Sequence, residues 1–69
     1  MTTYEIRLPY AASQTLQDAF PEMKAVQIAT DITLLIGDLR DQSELHGLIA
    51  RLGDMGLEIT EVRQEPMHS

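Results

Sequence analysis

Two stretches of strand-like alternation, KAVQIAT and DITLLIGDL, are joined by Thr30 and Asp31 alone. A connection this short closes only between antiparallel neighbours, because a parallel pair needs a crossover of about a dozen residues or more. The middle of the chain is therefore a hairpin, and the remaining segments must be arranged around it. Alternation points Val26 and Ile28 inward from the first strand and Ile32, Leu34 and Ile36 from the second, with Leu35 on the opposite side.

Upstream, YEIRLPY places Tyr4, Ile6 and Leu8 on one face and Glu5 and Arg7 on the other, and Pro9 ends the strand. Ser13 then offers a helix N-cap, with Leu16, Ala19, Phe20 and Met23 at helical spacing and Gln17 and Asp18 facing out. Pro21 disfavours helical geometry at Phe20, which keeps this helix short. Downstream, a longer amphipathic helix leads into LEITEV, a last strand with Leu57 and Ile59 inward.

The order is strand, helix, strand, strand, helix, strand. It predicts an α+β fold: a ferredoxin-like βαββαβ two-layer sandwich, with a four-stranded antiparallel sheet and both helices on one face. Residues 1–64 form the single domain, and 65–69 are expected to be a flexible tail.

In the second helix Leu45, Leu48, Ile49, Leu52 and Met55 make one apolar stripe. Asp41 and Glu44 have capping-box spacing, and Gly56 suits a left-handed C-terminal stop. His46 lies far around the helix from Glu44; its ordinary role is a hydrogen-bonded boundary residue, its sharper one a partner or ligand contact. Gly47 is harder to explain, because a glycine inside a helix costs ~1 kcal/mol relative to alanine. A neighbouring backbone approaches it within the monomer, a partner or ligand does, or the glycine has no reason at all.

With the helices on one face, the other face of the predicted sheet carries Leu35, Ala29 and Val62, either a modest apolar strip suited to pairing with a second copy or part of a merely solvated face. The chain has 69 residues, no cysteine and a formal charge of −6, its five basic residues spread without a patch. That removes disulfides and thiol chemistry, and argues against nucleic acid or an anionic membrane as partner. No segment has the length of a signal peptide core or a membrane span, so the expectation is a soluble cytoplasmic protein.

The residues Asp41, Gln42, Leu45, His46, Gly47, Leu48, Arg51, Leu52, Asp54, Gly56 and Leu57 resemble a D-Q-x-x-L-H-G-L-x-x-R-L-x-D-x-G-L core shared by a group of short, uncharacterised bacterial proteins. That resemblance implies no activity. Leu45, Leu48, Leu52, Gly56, Leu57 and Ile59 are also distantly similar to the ACT regulatory domain, although RDQS stands where Pro-Gly usually precedes the helix and the matching unit is the second half of this chain, not the first. This similarity implies a module that binds an amino acid or another small anion.

No catalytic constellation can be assembled from these residues, and no metal or cofactor is expected: one histidine with loose acids is a weak zinc set. The leading expectation is a non-catalytic interaction or regulatory module that pairs with itself and with another protein. The alternative is an ACT-like ligand site at Gly37, Asp38, Arg40, Gln42, His46 and Gly47, with Arg40 and helix N–H groups facing an anion.

Overall fold

The computed structural model describes residues 2–65, with the six elements in the expected order. They are β1 (Thr2–Leu8), α1 (Gln14–Ala19), β2 (Lys24–Ala29), β3 (Ile32–Leu39), α2 (Gln42–Asp54) and β4 (Glu61–Gln64). All paired strands are antiparallel and lie in the order β2-β3-β1-β4. Each helix thus links two parallel strands that hold a third between them, an arrangement consistent with a ferredoxin-like sandwich.

The core forms on one side of the sheet. Tyr4, Ile6 and Leu8 of β1 and Leu35 and Leu39 of β3 meet Leu16 and Phe20 from the α1 region and Leu45, Leu48 and Leu52 from α2 in a single cluster. Because both helices enter the same cluster, both cover the same face. Ile49 packs at its edge, but Met55 caps the helix and is exposed, so the predicted stripe ends at Leu52.

The phase of the hairpin is the reverse of the expected one. Ile6 of β1 stands opposite Leu35, which is fully buried, so Leu35 belongs to the core and not to a partner face. Inward positions of β3 are Thr33, Leu35, Gly37 and Leu39, while Ile32, Leu34 and Ile36 point away from the helices. On β2, Ala25 faces the core opposite Leu35 and Val26 lies on the other side opposite Leu34. Ile28 sits at a bulge between Gln27 and Ala29 and is half exposed.

Two distant contacts explain the choice. The hydroxyl of Thr33, the one buried polar residue among the described residues, donates to the Tyr10 carbonyl at 2.7 Å and is thereby satisfied. Gly37 lies beneath Met23: a Cβ there would sit 2.5 Å from the Met23 sulfur and 3.0 Å from the Glu22 carbonyl oxygen.

The last strand is shorter and later than LEITEV suggests. Leu57 and Ile59 pack against the core from an irregular segment. Pairing begins where the Thr60 N–H and hydroxyl both donate to the Arg7 carbonyl, at 2.9 and 3.0 Å. Val62, opposite Ile6, is on the helix side of this edge strand and is exposed. The Glu65 N–H still donates to the Thr3 carbonyl, and the rest of the predicted tail, 66–69, lies outside the described residues.

The helix ends follow the sequence closely. Ser13 accepts the Leu16 N–H at 3.1 Å and Asp41 the Glu44 N–H at 3.0 Å. Gly56, at φ +76°, donates to the Gly53 carbonyl while Leu57 donates to that of Leu52, the paired bonds of a Schellman ending. Gln17, expected to face solvent, instead turns back on the chain: its amide donates to the Phe20 and Met23 carbonyls and its oxygen accepts the Ala25 N–H.

Candidate functional site

The face of the sheet away from the helices carries the apolar-rich phase of the hairpin. Val26, Ile32, Leu34 and Ile36 form its β2–β3 half, and Ala29 joins them opposite Ile32 beyond the bulge. On the β1–β4 half, Glu5 stands opposite Arg63 and Arg7 opposite Glu61, so unlike charges alternate across both strands. The four strands present Glu5, Asp38 and Glu61 on this face against Arg7, Lys24 and Arg63, and the formal charge of −6 therefore comes entirely from residues elsewhere. The result is a charge-balanced, partly aliphatic surface on an acidic protein.

A second feature lies on the helix side. Leu39, Leu48 and Gly47, with Glu22, Glu44 and Arg51, line a groove of about 230 Å3. Arg51 spans one end: it donates to Glu22 at 2.8 Å and to the Ala19 carbonyl, and its guanidinium lies 4.6 Å from the centre of the Phe20 ring. The bonded Arg51 guanidinium holds the Glu22 carboxyl below its ordinary range. On α2, the Glu44 carboxylate reaches past the cap residue to the Arg40 N–H and guanidinium, which lower its pKa in the same direction.

These contacts separate the predicted ligand residues. Gly37 is accounted for by Met23, Asp38 accepts from the Thr3 hydroxyl, and Arg40 is engaged by Glu44 at 3.3 Å. Gln42 begins α2 and, like His46 and Gly47, is exposed. The six do not converge on one pocket. Among the described residues no group of three or more histidine, aspartate or glutamate side chains is placed to hold a metal ion. The Arg51 clamp escaped the sequence reading because Ala19, Phe20 and Glu22 are distant along the chain; Arg51 there is only a polar position beside a leucine stripe.

Among the described residues nothing accounts for Gly47, since a Cβ built on it meets nothing within 4 Å. Gly47→Ala is expected to stabilise the fold by about 1 kcal/mol, raising the melting temperature by roughly 4–8 °C in a domain of this size. A lower melting temperature in a thermal scan would mean that the glycine is needed structurally.

A smaller apolar pocket of about 150 Å3 lies between Tyr10, Leu16, Met55 and Leu57, beside the Tyr10 hydroxyl that accepts the Glu58 N–H at 3.0 Å. Among the described residues no helix is long and apolar enough to cross a membrane.

The chain matches, over residues 3–63, the model of a family described as "Domain of unknown function (DUF8691)". No curated protein and no solved structure matches it.

Proposed function

We propose that this chain, which belongs to the DUF8691 family, is a non-catalytic interaction module that acts as a homodimer, two ferredoxin-like sandwiches meeting through the open faces of their sheets. The observation that carries this reading is the phase of β3. Of the two phases available to ITLLI, the chain buries the one with a threonine and leaves Ile32, Leu34 and Ile36 on the uncovered side. An uncovered aliphatic phase of this kind marks an interaction surface.

A second copy is the occupant that best fits. Most surfaces of an acidic protein repel one another, whereas this face is balanced and its alternating charges suit a copy of themselves across a two-fold axis. Strand spacing of ~4.8 Å and a rise of ~3.4 Å per residue give the face a footprint of about 19 by 24 Å. Two copies therefore hide on the order of 1,000 Å2, the size at which specific interfaces begin. Ligand capture at Gly37, Asp38 and Arg40 has less support, because each already has a partner inside the fold.

Light scattering across a concentration series checks the proposal. The parent chain should pass from monomer to dimer in the micromolar range, and Leu34→Glu should remain monomeric throughout. A parent chain that stays monomeric at high micromolar concentration sinks the reading.

A further inference from the structure

We infer that two of these dimers join through their β4 edges into a closed tetramer of two stacked eight-stranded sheets. The inference rests on the open-face dimer proposed above and adds a second surface to it, the outer margin of β4.

β4 ends the sheet, and all four of its residues are exposed. The Glu65 N–H donates at 2.8 Å to the carbonyl of Thr3, its partner in register, so Glu61, Arg63 and Glu65 turn their main-chain groups toward β1. Those of Val62 and Gln64 point outward, where no strand follows among the described residues. The opposite margin differs, because there the Gln17 side chain holds the Ala25 N–H and the Met23 carbonyl.

The residues of β4 select a copy of themselves. About a two-fold axis through Val62 and perpendicular to the sheet, Val62 meets Val62 of the second copy, and the two exchange their outward main-chain bonds. Val62 is also a large apolar side chain left exposed, and its counterpart covers it on the helix side. The same register sets Glu61 against Arg63, and Arg63 against Glu61, on the open face. Across the joined sheet the charged row then reads Arg7, Glu61, Arg63, Glu5, alternating in sign through the seam. Centring the axis on Glu61 or Arg63 would instead set like charges together.

The open face dictates that this assembly closes. Its aliphatic half, on β2 and β3, covers its counterpart only when the face-to-face axis runs across the strands; an axis along them would lay aliphatic residues on charges. At the level of Ile6 and Val62, such an axis brings Arg7 over Glu5 and Glu61 over Arg63 of the facing copy. Both β4 edges of a dimer then share one margin, and the two axes cross at a right angle at the level of Val62. Crossed two-folds generate four copies and no more. One edge of four residues is too small to hold alone, whereas two engage together between dimers.

The test is sedimentation equilibrium of the full chain from micromolar to millimolar concentration, with amide hydrogen exchange at the upper end. The parent should pass from dimer to four chain masses, with the Val62 and Gln64 amides protected. Val62→Lys, which sets two cations together at an exposed edge position, should stop at the dimer with the Gln64 amide exchanging freely. Val62→Pro, which removes only an outward N–H, should stop there too. A parent that halts at the dimer, or tetramers that persist in both variants, would overturn the edge pairing and leave the dimer standing. A parent that stays monomeric overturns both.

Discussion

Leu35→Glu is expected to abolish the folded state, while the same replacement one residue earlier, at Leu34, leaves a folded monomer. Leu35 is fully buried between Ile6 and Ala25 beneath the helices. Removing its packing costs about 2–5 kcal/mol, and an unpaired carboxylate buried in its place costs several more. A chain of 69 residues has roughly 3–10 kcal/mol of stability in total, so the loss exceeds or consumes it. Leu34 stands opposite Arg7 on the uncovered face, where a glutamate meets solvent and a cation. Far-UV circular dichroism and amide dispersion separate the two outcomes. A native-like spectrum and melting temperature for Leu35→Glu would mean that the phase of β3 described above is wrong.

The second large effect is at Gly37. Its Cβ would come 2.5 Å from the Met23 sulfur and 3.0 Å from the Glu22 backbone oxygen. The sulfur is the movable end of a flexible side chain, but the carbonyl is not. Gly37→Ala is therefore expected to destabilise by about 1–3 kcal/mol, as overpacking does, which is about 4–8 °C of melting temperature per kcal/mol. In a Met23→Ala background the same change should cost measurably less, because the nearest clash is gone. Equal costs in the two backgrounds, read by denaturant titration, would remove Met23 as the reason for the glycine and return Gly37 to consideration as a binding position.

Both predictions turn on the part of the fold that local pattern could not reveal. In YEIRL only one alternating phase is apolar, and Tyr4, Ile6 and Leu8 are indeed buried. In ITLLI both phases are apolar enough to be buried, so periodicity favours the richer one, and the structure buries the other. The decision rests on Tyr10 and Met23, which become neighbours of Thr33 and Gly37 only once the chain has folded.

The helix termini were legible because Ser13, Asp41 and Gly56 act within four residues of themselves. The site was legible in part: Gly47 stood out as a glycine without a reason, but the groove beside it requires Glu22 and Leu39, which no spacing on α2 indicates.

The side chain of Gln17 bears on what kind of assembly this sheet permits. β2 is an outer strand of the sheet, and such strands offer main-chain groups to any other strand of suitable shape. Here the Ala25 N–H and the Met23 carbonyl are already taken by one amide from α1, at 3.0 and 2.8 Å. A strand arriving from another molecule would have to displace that amide before it could bond. Growth by adding sheet to sheet, which has no natural end and leads to fibres, is obstructed at this margin. Association through the flat of the sheet ends by itself, because each molecule has one such surface and a pair uses both.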